Sequence, residues 1–233
     1  MKVYVLVEGV STEMAVYPVW FERLIPVQPV FRFIEEFEEF RVAERGIFYV
    51  SGQGYPSIIN HIGNAIENSK VANVDYLIVV VDSDEENPVT RENVLRQEVD
   101  RLDIPDRLQV MIIVQNRCFE TYLLANRRCI PRVPQNEDLV NYKRYYDVHN
   151  DDPELMGTFA PDFTHSQFHF KYAATALREN NMMYSKANPK SICNVAYLEE
   201  ILSRLRETRH LNSFSSLITN VNQIRNRMRL ELI

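Results

Sequence analysis

The chain has 233 residues, a net charge of −6 and apolar and charged fractions that are ordinary for a globular protein. The acidic balance argues against a surface that grips nucleic acid over its whole extent. Three cysteines without a CxxC pair favour neither a disulfide framework nor a zinc site, and no apolar stretch resembles a signal peptide or a bilayer span. We therefore expect a cytoplasmic protein with no membrane partner.

The first half of the chain alternates short apolar runs with helical patterns. The runs are rich in β-branched residues, which is typical of strands buried on both faces of a parallel sheet, and they occupy residues 3–7, 47–50, 76–81 and 110–114. Helical stripes between them predict helices around residues 14–24, 58–66 and 94–102. Ser11 or Thr12 would cap the first helix, and Pro18 should kink it or move its start. The insert at residues 31–46, which alternates Phe with Glu, fits an edge strand or a helix.

The pattern changes after Ala125. Residues 126–165 are rich in Pro, Asn and Asp and predict loops and short segments, and three helical stripes follow at residues 170–177, 195–205 and 214–228, the last with Ser213 as its cap. Residues 1–125 carry a net charge of −9 and residues 126–233 a net charge of +3. The sequence thus predicts an α/β domain at 1–125, followed by a helical region at 126–233. That region is either a subdomain or a cover of the same core.

Carboxylates follow three of the four predicted strands. Glu8 closes the first strand, Asp82 and Asp84 close the third, and Glu120 lies just past the fourth. Ligands of open α/β sheets bind outside the carboxyl ends of the strands, and clustered carboxylates there require a cation. Because residues two apart in an extended segment point the same way, Asp82 and Asp84 could face one metal. Each carboxylate alone also fits a turn, a solvated loop or a helix surface, so the prediction of a Mg²⁺ site depends on their joint placement.

Other polar residues have weaker claims to a role. Glu13 either complements the dipole of the first helix or serves as a ligand to a second metal beside Glu8. Lys171, Lys186 and Lys190 could contact a phosphate. His61 lies near an apolar stripe, so packing is the simpler explanation of its position. No P-loop is present, so the chain by itself is not expected to hydrolyse nucleotides.

Three segments together resemble Toprim proteins, most closely the compact RloB-type branch related to the OLD-type nucleases. They are VLVEGVSTE at residues 5–13, VVVDSDEE at 79–86 and QNRCFETYLLA at 115–125. They occur in the order and at the spacing of that branch over the first 125 residues, and residues 188–202 resemble its C-terminal helical part more faintly. The chain departs from the branch at Asn116-Arg117-Cys118, where Pro is usual before Cys, and we expect this to alter the turn but not the carboxylate that follows it.

The resemblance implies a Rossmann-like, four-stranded, mainly parallel sheet and a Mg²⁺-dependent site that Mn²⁺ could also fill, with two ions. By position, Glu8 would be a general acid/base or a metal ligand, Asp82 and Asp84 would be metal ligands, and Glu120 and Glu13 would serve the second ion. It further implies an endonuclease acting on DNA or RNA in an anti-phage defence or restriction-associated context. A partner ATPase encoded nearby is implied by analogy only.

Two other functions remain open from the sequence. A phosphatase with an Asp-x-Asp nucleophile is disfavoured, because such enzymes place the pair after the first strand, where this chain has Glu8. A non-catalytic Toprim-fold module that binds metal or nucleic acid and regulates an ATPase would carry the same carboxylates. Intact ligands alone do not separate that module from a nuclease.

Overall fold

A five-stranded sheet forms the centre of the protein, which a computed structural model describes over all of residues 1–233. Its strands are β1 (Lys2–Val7), β2 (Val30–Phe31), β3 (Gly46–Ser51), β4 (Tyr76–Asp82) and β5 (Gln109–Gln115). Every neighbouring pair is parallel, and the strand order is β2-β3-β1-β4-β5. The predicted parallel α/β sheet is confirmed, but it has one strand more than the four expected. The additional strand, β2, has only two residues and pairs with Ile47 and Phe48 at one edge.

Helices cover both faces of the sheet. They are α1 (Thr12–Leu24), α2 (Phe37–Val42), α3 (Ser57–Ala72), α4 (Pro88–Val99), α5 (Phe119–Leu123), α6 (Glu137–Tyr145), α7 (His165–Glu179), α8 (Val195–Glu207) and α9 (Asn212–Arg227). Short 3-10 helices lie at Ile34–Glu36, Arg127–Cys129, Pro153–Leu155 and Lys190–Ile192. None of the helices combines the length and apolar character that a bilayer crossing requires.

Two apolar clusters hold the layers together, one on each face of the sheet. Side chains alternate along a strand, so Val5 and Val7 of β1 face one cluster while Tyr4 and Leu6 face the other. The smaller cluster has 19 buried residues and packs α2, α3 and α4 onto the sheet. The larger has 45 and joins α1 and α5 to the helices of the C-terminal half. Both halves of the chain therefore contribute to the larger of the two clusters.

The C-terminal half contains the three predicted helices, as α7, α8 and α9, and one that the sequence did not predict. The unpredicted helix, α6, buries only Leu139 and Tyr142, and Asn136 caps it through a 3.1 Å hydrogen bond from the Leu139 amide. Two buried positions in nine residues give too little periodicity to stand out from the surrounding polar sequence.

Three local expectations also resolve in the structure. Residues 31–46, for which the sequence fitted either an edge strand or a helix, contain both. The first of these residues ends β2, and α2 follows. Helix α1 starts at Thr12 and continues through Pro18, so its start is not displaced. Ser213 was wrongly predicted to cap the last helix: it lies inside α9, where its hydroxyl contacts Glu154 and Tyr122.

Candidate metal centre

The candidate site lies at the carboxyl edge of the sheet, between β1 and β4. After β1 the chain builds β2 and β3 on one side and then places β4 on the other side. Open α/β sheets bind ligands at such a switch point, because the loops on its two sides diverge and leave a crevice. A cleft of about 310 Å³ opens here, and its charged lining residues are Glu8, Glu13, Asp82 and Lys186.

Glu8 follows β1, and two backbone amides hold its carboxylate, one at the end of β4 and one in the loop after β3. The amide of Asp82 donates to Oε2 over 2.9 Å, and the amide of Tyr55 donates to Oε1 over 3.2 Å. Burial raises the pKa of the Glu8 carboxyl, the bond from Asp82 opposes that rise, and the charge of Asp84 adds to it. The net shift of the Glu8 pKa is upward, so the site disfavours the ionised form of this carboxylate. The two backbone hydrogen bonds nevertheless hold the carboxylate at the cleft.

Glu13 lies in the first turn of α1 and folds back onto Gly9. The Gly9 amide donates to Glu13 Oε1 over 3.1 Å, and a Cβ placed on Gly9 would stand 1.7 Å from Oε2. Only glycine therefore permits this approach. Burial raises the pKa of Glu13 to about 7, with the charge of Glu120 acting in the same direction. Glu13 thus belongs to the same group of carboxylates as Glu8, and its position does more than complement the helix dipole.

Asp82 ends β4 and is positioned by the adjacent strand. Gln115, its register partner on β5, donates from Nε2 to Asp82 Oδ1 over 2.6 Å. The hydroxyl of Tyr17 donates to Gln115 Oε1, so the amide nitrogen of Gln115 must face Asp82. Burial raises the pKa of Asp82 well above its ordinary value, and the charges of Glu13 and Glu8 raise it further. The sheet and α1 together orient the Asp82 carboxylate, and no positive charge close to it compensates its ionised form.

Asp84 is directed differently from the sequence expectation. The extended backbone ends at Asp82, and Asp84 adopts a left-handed conformation with φ of 50°. Its Oδ1 accepts a 2.7 Å hydrogen bond from Ser166 of α7, and Asp84 does not line the cleft. The inference that Asp82 and Asp84 share one direction fails because it assumed continued extension. The charge of Asp84 still raises the pKa of Glu8 and Asp82.

Glu120, the second residue of α5, is only 1% exposed and meets a segment from the C-terminal half. The Tyr184 hydroxyl donates to Glu120 Oε1 over 2.7 Å, and Lys186 Nζ lies 3.9 Å from the same oxygen. Thr12 anchors this segment by donating to the carbonyl of Lys186 over 3.0 Å. The arrangement places an exposed ammonium group at the mouth of a cleft whose other charged groups are carboxylates.

The other two candidate lysines are not brought to the cleft. Lys171 Nζ lies 4.4 Å from the ring centroid of Phe163, and Lys190 is an exposed residue at the start of a 3-10 helix. His169 has a structural role, with Thr121 Oγ1 2.8 Å from its Nδ1 and the Met156 carbonyl 3.3 Å from its Nε2. Burial lowers the pKa of His169 to about 4, which keeps the ring neutral at pH 7.

Three residues that orient the carboxylates were not identified from the sequence. Gln115 directly follows the apolar run of β5, so its place at the same sheet edge was open to inference. Tyr184 and Tyr55 carried no such signal, because Tyr184 reaches Glu120 from 64 residues away and Tyr55 contributes only its backbone.

The donor set suits a hard divalent cation, although the side chains alone do not complete a binding site. No group of three or more His, Cys, Asp or Glu side chains is close enough together to hold a metal ion. Asp82 Oδ2 and Glu13 Oε2 accept no hydrogen bond from another residue. Mg²⁺ commonly binds through one or two carboxylates, keeps several waters and takes its remaining ligands from substrate phosphate. The residues present fit that mode of binding.

Comparisons with known proteins add no relative: no family model, no curated protein and no solved structure matches the chain.

Proposed function

We propose that the chain is a Mg²⁺-dependent endonuclease of the Toprim type that hydrolyses phosphodiester bonds of DNA or RNA. The observation that carries the proposal is the convergence of Glu8, Glu13 and Asp82 with Lys186 on one cleft at the switch point of the sheet. Burial and the charges of neighbouring carboxylates raise the pKa of all three, so binding a divalent cation would relieve the cost of ionising them.

The metal-binding roles proposed for the carboxylates are those that the family resemblance implies by position. Asp82 and Glu8 would hold the first metal ion, and Glu13 and Glu120 would serve the second. When bound, Mg²⁺ would supply Lewis acidity for the phosphodiester and for the attacking water. Lys186 would bind a nonbridging phosphate oxygen, since it is the one cation that lines the cleft. The backbone donors to Glu8 and the amide of Gln115 on Asp82 keep those carboxylates in fixed directions.

The test is cleavage of plasmid, linear duplex, single-stranded DNA and RNA in EDTA, Mg²⁺ or Mn²⁺. The wild type is compared with Glu8→Gln and Asp82→Asn, and Glu22→Gln serves as the control because Glu22 is an exposed glutamate of α1 outside the cleft. Metal assistance is worth several kcal/mol, so we expect each site variant to cut at least about a hundredfold more slowly. The control should cut at the wild-type rate, and circular dichroism should show that all four proteins are folded.

Two outcomes would contradict the proposal. Equal cutting by wild type and both site variants would place the activity elsewhere or in a contaminant. Absence of cutting on every substrate, with Mg²⁺ binding retained, would favour a non-catalytic module that regulates a partner ATPase. We also propose that the nuclease acts in anti-phage defence or beside a restriction system, and this part of the proposal is based on the family resemblance alone.

A further inference from the structure

A second and larger cavity lies beside the metal cleft, along the edge of the sheet. Strand β2 pairs with only the first half of β3, so the outer edge of β3 has no neighbouring strand from Tyr49 to Ser51. A groove of about 560 Å³ follows this free edge, and we call it the edge groove. Gln53 lines both the edge groove and the metal cleft, so the two cavities lie next to each other.

The edge groove combines apolar walls with hydrogen-bonding groups that have no partner in the chain. Met14, Leu6 and Val50 contribute the apolar surface. The side chains of His61 and Asn64, on α3, line the groove and form no hydrogen bond or ion pair. The sequence favoured packing for His61, yet the side chain is only partly buried and lies at this opening.

The charge of the edge groove argues against a phosphate as its ligand. Arg32 is its only basic residue apart from histidine, and Glu67, also in the lining, is paired with Lys70 at 2.8 Å. The metal cleft, by contrast, combines Lys186 with carboxylates suited to cations. An apolar surface with amide and imidazole groups matches a nucleobase, which has planar apolar faces and a hydrogen-bonding edge.

We propose that the edge groove binds the base of the nucleotide next to the phosphate held in the metal cleft. This inference rests on the proposed nuclease function. Asn64 is the residue chosen to read the edge of the base, since amide side chains pair with base donors and acceptors and Asn64 has no competing partner. Gln53 stands where the sugar would pass from the groove to the cleft. The site would give the enzyme a base preference at one position beside the cut.

The test is a binding scan that does not depend on cleavage. Short fluorescein-labelled DNA and RNA strands with phosphorothioate linkages are prepared with one base removed at each position in turn. Their affinities are measured by anisotropy for the wild type, for Asn64→Leu and for the control Asn60→Leu. Asn60 is exposed on the same helix and does not line the groove.

We expect one abasic position to weaken wild-type binding about tenfold, or about 1.4 kcal/mol, because one recognised base is lost. Asn64→Leu should bind the intact strand about tenfold more weakly than the wild type, and removing the base at that position should weaken its binding no further. Asn60→Leu should reproduce the wild-type scan. A flat scan for the wild type, or an unchanged scan for Asn64→Leu, would overturn the groove assignment. Metal-dependent cutting together with a flat scan would support the proposed nuclease function and contradict the base-binding site. A position-dependent scan without cutting would support the base-binding site and contradict the nuclease function.

Discussion

The side-chain amide of Gln115 donates from Nε2 to Oδ1 of Asp82 over 2.6 Å and fixes the carboxylate at the end of the neighbouring strand. Replacing it with Gln115→Leu should lower metal affinity and cleavage about 10–100-fold, as is usual when the partner that orients a metal ligand is lost. Isothermal titration with Mn²⁺ and the cleavage rate would measure the two effects. Tyr17→Phe keeps the Gln115 amide but removes the hydroxyl that selects its orientation. This variant should therefore lose less metal affinity and less activity than Gln115→Leu. Equal losses in the two variants would show that orientation by Gln115 is not the cause.

Gly9→Ala should destabilise the protein because the new methyl group would occupy the position of the Glu13 carboxylate. The added Cβ would lie 1.7 Å from Glu13 Oε2, and relieving such a clash costs about 1–3 kcal/mol of unfolding free energy. Gly63→Ala is the matched control, since a Cβ there meets nothing within 4 Å and Gly63 lies inside α3. The control should gain about 0.5–1 kcal/mol. Urea unfolding of both variants measures the difference, and a stable Gly9→Ala protein would show that Glu13 moves freely.

The raised pKa of Glu13 predicts that the metal-free protein loses stability as pH rises. Below the ordinary value of 4.5 the group is protonated in both folded and unfolded chains. Above it the unfolded chain releases the proton first, so stability falls until the pH reaches the folded value of about 7 and then levels off. The loss attributable to Glu13 is on the order of 3 kcal/mol.

Glu13→Gln should remove the part of that dependence that Glu13 contributes, because a neutral amide has no proton to release. The remaining slope should come from Asp82 and Glu8, whose pKa values are raised in the same direction. Urea midpoints between pH 5 and pH 8 would measure both profiles. A wild-type protein that is more stable at pH 8 than at pH 5 would contradict the assignment of a buried, mutually repelling carboxylate group.

Lys186→Ala should lower kcat/KM about tenfold, since it removes the one ammonium group at the cleft and the corresponding interaction with phosphate is worth about 1.4 kcal/mol. Lys190→Ala serves as the control, because Lys190 is exposed, close in sequence and outside the cleft. The proposal for Lys186 is wrong if both variants change the rate equally. A rise in KM with unchanged kcat would assign Lys186 to substrate binding alone.

The sequence predicted the sheet well because burial on both faces leaves continuous apolar runs. It left the segment that forms β2 and α2 undecided between an edge strand and a helix, and it missed α6, which buries too few side chains to show a period. Three of the five candidate carboxylates line one cleft, because parallel strands end at a common edge and α1 begins beside it. The direction of Asp84 was not predictable by counting residues, since one left-handed residue redirects its side chain to Ser166.

Contacts between distant segments account for what the sequence could not indicate. Tyr184 and Lys186 reach Glu120 only because the helical half folds back across the sheet. Periodicity describes single elements and carries no information about which loop will meet which strand end. Gln115 differs in this respect, since its position after a predicted strand placed it at the correct edge before any contact was known.

The apolar cluster of 45 residues that spans both halves limits how the chain can be divided. A fragment ending at Ala125 would keep the sheet and all five candidate carboxylates but would expose the part of one sheet face that the C-terminal helices cover, and it would leave Glu120 without its tyrosine partner. Grafting the first 125 residues onto another protein would therefore transfer an unstable and incompletely oriented site. The unit that can be transplanted, shortened or recombined is the sheet together with the helices that follow it.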